Sequence, residues 1–281
     1  MEGEPPGEPH WASGSAGASP SRGIVAARAD VGAPRRLAHF APPHNFVASG
    51  ADRASIPAGM RFQTILFDLD GTLLDHLPAI HRAYAHTLPQ LGLPAPTREQ
   101  VRRAIGGGLV NAMRRFVSEA DLPLALEIYR TFWDRTMLEG VALMPGAGGL
   151  LRALHDRGCT LAVLTNKHGP SSRAVCQHLG IAPLFGSITG AEDTPWLKPD
   201  ARLTAHVLAA LHADAATSCL VGDSPFDAET ARNGGLAAFL VATGTHEPAQ
   251  LRAAGAEHVY RDLPALARGV FSLTLDSSAG L

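Results

Sequence analysis

From Arg61 onward, short apolar runs alternate with longer segments that mix apolar and polar positions. The runs at 64–67, 160–164, 185–189, 218–221 and 237–241, with a weaker one at 258–260, are strand-sized and rich in β-prone side chains. Runs of that kind are buried on both faces of a parallel sheet. Between them, residues 149–157, 171–179, 201–211, 226–233 and 248–254 predict helices. Strand–helix alternation with short links is the signature of a doubly wound, Rossmann-like α/β sheet.

One stretch breaks the rhythm. After the first strand, segments 78–88, 97–105, 109–118 and 122–138 all read as helices, and nothing among them reads as a strand. The economical interpretation is an all-helical cap domain inserted into the sheet domain, entered near His76 and left near Pro145 and Gly146. The expected organisation is an α/β core over 60–77 and 144–281 with a helical cap over 78–143. Residues 1–59 are crowded with Gly, Pro, Ala and Ser and show no periodicity, which predicts a disordered extension. A second reading starts the protein at Met60.

Composition narrows the function classes. The 281 residues carry 24 Lys+Arg against 26 Asp+Glu, a formal net charge of −2, which argues against a dedicated nucleic-acid binder. No apolar run approaches the roughly 20 residues that span a bilayer, so no membrane partner is expected. Three widely spaced cysteines, Cys159, Cys176 and Cys219, suggest neither a disulfide framework nor a CxxC metal site, and predict a reducing, cytoplasmic setting. Only two of the basic residues are lysines, Lys167 and Lys198, and both fall in the motifs that follow.

In open α/β sheets ligands bind beyond the carboxyl ends of the strands, and four candidate motifs fall there. Asp68 and Asp70 follow the first strand; carboxylates at i and i+2 repel each other and ionise together only beside a cation. An all-oxygen ligand set favours a hard ion such as Mg²⁺. Gly71 in that turn supplies an unusual φ. Thr165 and Asn166 follow the second strand, where a hydroxyl and backbone N–H groups opening a helix would cradle an anion. Lys198 precedes Pro199, read as the start of a helix, and Asp223 ends a further strand with Asp227 one helical turn on. In isolation each has an ordinary reading: a strand-end turn, a helix cap, a solvated lysine, an i,i+4 surface charge. A parallel sheet would bring all four to one edge, placing a metal site beside an anion site, which is the equipment of phosphoryl transfer.

At these residues the sequence resembles the haloacid dehalogenase-like hydrolase superfamily over residues 62–268. All four motifs occur in order: Asp68-Leu-Asp70-Gly-Thr-Leu, Thr165-Asn166, Lys198-Pro199 and Gly222-Asp223-Ser224-Pro-Phe-Asp227. The helical insert is similar to the small cap of the phosphoglycolate phosphatase-like branch. The resemblance implies that Asp68 attacks phosphorus to give an aspartyl-phosphate, and that Asp70 protonates the leaving alkoxide and then deprotonates water. It implies Mg²⁺ held by the side chains of Asp68 and Asp223 and the backbone carbonyl of Asp70, with Asp227 behind them orienting Lys198. Thr165, Lys198 and the backbone near Asn166 would hold the transferring oxygens. The implied partner is a small phosphorylated metabolite, 2-phosphoglycolate first, handled by a monomer or homodimer. The alternatives are a sugar-phosphate phosphotransferase of the same fold and, behind it, a non-catalytic phospho-ligand-binding domain.

Other residues carry weaker signals. Gly106–Gly108, Gly107 among them, reads either as a flexible loop facing the site or as a plain helix stop. His168 lies close enough to the second motif to touch substrate. Arg102, Arg103, Arg114 and Arg115 could meet a substrate carboxylate but equally form a solvated face. His76, His81, His86 and His246 lack metal-like pairing and read as surface or core, and Trp196 reads as packing.

Overall fold

In a computed structural model that describes residues 61–256 and 258–275, the six apolar runs form one parallel sheet. Residues 1–59 and Met60 lie outside the described residues. Chain order begins with β1 (Thr64–Phe67), β2 (Leu74–Asp75), α1 (Leu77–Gln90), α2 (Arg98–Ala104), α3 (Leu109–Met113), α4 (Leu122–Thr136) and β3 (Ala142–Leu143). It continues with α5 (Ala147–Asp156), β4 (Thr160–His168), α6 (Gly169–His178), β5 (Ser187–Ala191), α7 (Ala201–Ala210) and β6 (Ser218–Gly222). The last elements are α8 (Pro225–Gly234), β7 (Ala237–Val241), α9 (Pro248–Ala253), β8 (His258–Tyr260) and α10 (Leu263–Phe271).

The strand order β5-β4-β1-β6-β7-β8 places β1 in the middle, with Thr64 in register with Thr160 on one side and Ser218 on the other. Side-chain alternation explains why every β1 residue is apolar or nearly so. Ile65, Phe67, Leu161, Val163, Cys219 and Val221 point into the layer packed by α5 and α10, while Leu66, Ala162, Leu164 and Leu220 point into the layer packed by α7 and α8. A buried Ile, Leu or Phe stabilises by about 1.5–3 kcal/mol. A one-residue slip of β1 would exchange the two faces, so packing fixes the register that brings the strand ends level.

The helices α1 to α4 lie between β2 and β3 and have their own core, in which Tyr84, Met113, Tyr129 and Trp133 meet Ile80, Leu88 and Val101. α2 starts at a full capping box, Thr97 with Gln100.

Several elements depart from the sequence expectation. The insert contains two strands after all: β2 and β3 pair antiparallel, Leu74 with Leu143 and Asp75 with Ala142, at the point where the chain enters and leaves the helices. Two-residue ladders carry no periodicity, so no pattern announces them. The helix expected over 109–118 stops at Met113, where the amides of Arg115 and Phe116 turn to i−3 carbonyls and tighten the chain. The third run begins at Ser187 rather than residue 185, because 182–184 form a 3₁₀ turn. α10 went unread, although Leu263, Leu266, Ala267 and Phe271 form a buried stripe. Among the described residues, no helix is long and apolar enough to cross a membrane.

Candidate active site

Asp68 leaves β1 with its amide bonded to the carbonyl of Val221 on β6 (2.9 Å), which fixes its position over the sheet edge. Its carboxylate accepts a hydrogen bond from the Thr165 hydroxyl, and its Oδ1 lies 2.9 Å from Lys198 Nζ. Beyond that ion pair, the buried Oδ1 has no hydrogen-bond partner. The Lys198 side chain is almost fully buried and also donates to Asp227 Oδ1 at 2.7 Å. Burial alone would favour the neutral amine, but Asp227 and Asp68 outweigh it and lift the ammonium above the ordinary lysine value.

Asp70 has its own lysine. Lys167 Nζ sits 2.8 Å from Asp70 Oδ2 and 3.2 Å from Oδ1, with the ammonium 4.7 Å from the centre of the Trp133 ring on α4. His76 completes the arrangement: its Nε2 is 2.6 Å from the carbonyl of Met137, and its Nδ1 is 3.3 Å from Asp70 Oδ1. Burial works to raise the pKa of Asp70, yet Lys167 and His76 together hold it well below the usual carboxylate range. The mutual repulsion expected of Asp68 and Asp70 is therefore relieved by two separate ammonium groups.

Asp223 closes the third side. Thr72 donates to its Oδ1 at 2.7 Å, and glycines at 71 and 244 press against it. Gly71 has φ +89°, and a Cβ there would lie 2.6 Å from Asp223 Oδ2, so the position excludes any side chain. Asp227 is spent internally. Its Oδ2 accepts from the amides of Asp223 (3.1 Å) and Ser224 (3.0 Å) and from the Ser224 hydroxyl (2.6 Å), which is the capping box that starts α8. Ser224, not Asp223, is the cap.

Oxygens of Asp68, Asp223 and Asp227 all lie within 4.8 Å of one another, and Lys198 is the one ammonium in contact with the group. Burial pushes Asp68 and Asp223 above the ordinary carboxylate value; Asp227 reinforces the rise for both and Asp68 adds to it for Asp223. Hard oxygen donors, an Asp68 oxygen without a hydrogen-bond partner and excess negative charge fit a divalent cation such as Mg²⁺ between Asp68 and Asp223.

The remaining sequence candidates are placed as follows. Thr165 and Asn166 do not open a helix: β4 runs on to His168 and α6 begins at Gly169, because a β-bulge between 164 and 168 carries the strand past its expected end. The Asn166 side chain staples two loops, donating to the carbonyls of Gly106 (3.2 Å) and Lys198 (3.1 Å) and accepting from the Lys198 amide (2.8 Å). Pro199 precedes rather than starts α7, which Asp200 caps. Gly107 and His168 both line the cavity above Asp68 and Asp70. His168 pairs with Ser171 (2.9 Å) and lies 3.6 Å from Glu192. Arg102 bonds the carbonyl of Gly244, Arg103 pairs with Glu99, Arg115 with the carbonyl of Arg103, and Arg114 with Glu119. Trp196 packs on Arg202 and His206. Sequence reasoning missed His76 and gave Lys167 no role; the scarcity of lysine was the signal for the second, and His76 had none.

A parallel sheet whose strand ends gather acidic groups and two lysines, with an inserted set of helices lining the same cavity, belongs to the α/β class. Residues 65–241 match the family described as haloacid dehalogenase-like hydrolase. The chain is 34% identical over 210 residues to a phosphoglycolate phosphatase of Caulobacter vibrioides, covering 72% of this chain and 89% of that one. A phosphoglycolate phosphatase of Rhodobacter capsulatus is 32% identical over 214 residues, with 73% and 96% covered. A solved haloacid dehalogenase-like hydrolase of Streptococcus pneumoniae superposes with a TM-score of 0.68 at 26% identity, covering 74% of this chain and 98% of that one. The chain belongs to the haloacid dehalogenase-like hydrolase family and is an enzyme of its phosphatase class.

Proposed function

We propose that the protein hydrolyses a phosphate monoester of a small metabolite through an aspartyl-phosphate on Asp68. The observation that carries this reading is the division of labour between two carboxylates at one cavity floor. Asp68 is held beside Lys198 and Thr165, and Asp70 is held apart by Lys167 and His76. A protein that only binds phosphate needs the lysine and the hydroxyl but gains nothing from two adjacent acids.

In the first half-reaction an Asp68 oxygen bonds to phosphorus, the ester oxygen leaves, and Asp70 supplies the proton that makes it an alcohol. In the second, Asp70 takes a proton from water, whose oxygen attacks the phosphoaspartate and releases inorganic phosphate, restoring Asp68. Lys167 and His76 favour the carboxylate that Asp70 becomes on giving up its proton, which is the form the second step requires. Lys198 and Thr165 are placed to neutralise and orient the transferring oxygens. Asp68 and Asp223, with the Asp70 carbonyl, would hold Mg²⁺, which when bound supplies charge neutralisation at the phosphoryl group. Asn166 keeps Lys198 in reach by fixing its backbone.

Phosphate release from an aryl phosphate tests the reading. It is expected with Mg²⁺, abolished by EDTA, and lowered about a thousandfold or more in Asp68→Asn. The relatives' names make 2-phosphoglycolate the first natural ester to assay. Transfer of the phosphoryl group to added glucose phosphates, in place of water, would instead establish the phosphotransferase reading.

A further inference from the structure

The cavity above Asp68 and Asp70 is far larger than the phosphoryl group it would receive. Its volume is about 630 Å³, within the roughly 300–1,000 Å³ of sites that enclose drug-sized ligands. Its walls are unlike its floor. Ile80, Tyr84, Tyr129 and Trp133 from α1 and α4 line it. Leu109 and Val110 at the start of α3, and Leu197 on the loop that carries Lys198, line it as well. Among the described residues three large apolar side chains are exposed, and two of them, Val110 at 36% and Leu197 at 38%, line this cavity. Apolar groups left in water at the mouth of a cleft mark a surface that an apolar partner covers.

The charges tell the same way. Each Lys and Arg that lines the cavity already has a carboxylate: Lys167 holds Asp70 at 2.8 Å, Arg130 holds Glu192 at 2.6 Å and Arg114 holds Glu119 at 2.9 Å. Asp134 adds a further acid to the lining. A substrate with a second anion would have to share one of these cations with the carboxylate it already holds.

We propose that this cavity is a leaving-group subsite for an uncharged, ring-sized, largely apolar alcohol esterified to phosphate. This deepens, and rests on, the phosphate-monoesterase reading above. On this assignment a compact ester with a carboxylate, such as 2-phosphoglycolate, uses the floor but not the walls.

Two measurements separate the proposal from that reading. The first compares hydrolysis of benzyl phosphate and 2-phosphoglycolate with Mg²⁺ present. One methylene in an apolar pocket discriminates by roughly 10–200-fold, so kcat/KM is expected to favour benzyl phosphate by about tenfold or more, mainly through KM. Val110→Arg, at an exposed helical position that tolerates substitution, is expected to narrow the ratio several-fold by adding an unpaired cation at the mouth. The second measures binding of two phosphonates that cannot be hydrolysed, 2-phenylethylphosphonate and 3-phosphonopropionate, by calorimetry. A tenfold tighter Kd for the first supports the subsite even if no ester turns over, an outcome that would remove the hydrolase reading alone. Equal or better binding of 3-phosphonopropionate, or equal or better turnover of 2-phosphoglycolate, overturns the proposal and leaves the hydrolase reading standing.

Discussion

Lys198 makes contact with two of the three clustered acids, and its removal shows how strongly single residues act here. Lys198→Met leaves Asp68 and Asp227 buried without a counter-charge, and breaking a buried pair in this way costs about 3–5 kcal/mol. Urea unfolding in Mg²⁺-free buffer is expected to show a loss of unfolding free energy of that size, read as a lower midpoint at unchanged slope, together with loss of phosphate release. Lys198→Arg would rescue the charge but not the activity, because a planar fork cannot occupy the place of a compact ammonium between two carboxylates. At this scale the sequence made legible that Asp68, Asp70, Thr165, Lys198 and Asp223 would be brought together, because each lies at or beyond the carboxyl end of a strand. It was opaque where a contact depends on elements distant in the chain. His76 reaches Asp70 only because the β2–β3 ladder folds the chain back beside Met137. The Asn166 side chain staples the Gly106 and Lys198 loops, a contact set by the bulge in β4 that no sequence pattern announced.

The helices over the site are tied to the sheet domain by few polar contacts, and these differ in kind. Trp133 on α4 donates to Ser171 at the start of α6 (3.2 Å) and covers Lys167, all within buried surroundings. Arg130, one turn earlier, pairs with Glu192 after β5, where both side chains are about half exposed. An exposed pair contributes about 0.2–1 kcal/mol. Arg130→Ala is therefore expected to lower Tm by no more than a few degrees while raising KM several-fold for any ester that the helices cover, as measured by steady-state kinetics beside a melting curve. A Tm loss near that of Lys198→Met would show that the pair is structural. The apolar periodicity of the long elements made both layers of the sheet and most of the helical insert readable in advance. Among the elements it did not carry, β2, β3 and the truncated α3 are too short to have a period, whereas α10 has a buried stripe of its own. The cavity was equally hidden, since its walls are core-like residues whose facing across a gap is a tertiary fact.

For the molecule as a whole, the acidic centre couples stability to pH and to metal. Asp68 and Asp223 have folded-state pKa values raised above the ordinary 3.8, so the folded chain without metal retains protons that the unfolded chain releases. Their contribution is present below about pH 4 and is lost as pH climbs through the raised values. Asp70 runs the other way: its value is lowered, so its contribution is present above the ordinary value and is lost only as pH falls below it. At neutral pH the metal-free protein thus bears the cost of two buried acids while keeping the benefit of one. The divalent cation proposed between Asp68 and Asp223 would remove that cost, and would do so where both are ionised. At a Mg²⁺ concentration a hundred times its Kd, binding to the folded state contributes about 2.7 kcal/mol, which for a chain of this size corresponds to roughly 5–10 °C in Tm. Melting curves with Mg²⁺ and with EDTA are expected to diverge by that amount at pH 8 and to converge as pH falls to about 4, the ordinary carboxylate value. Asp223→Asn is expected to raise the EDTA curve at pH 8 and to abolish the Mg²⁺ response. A Mg²⁺ shift of equal size at both pH values, or one that survives Asp223→Asn, would place the cation elsewhere on the protein.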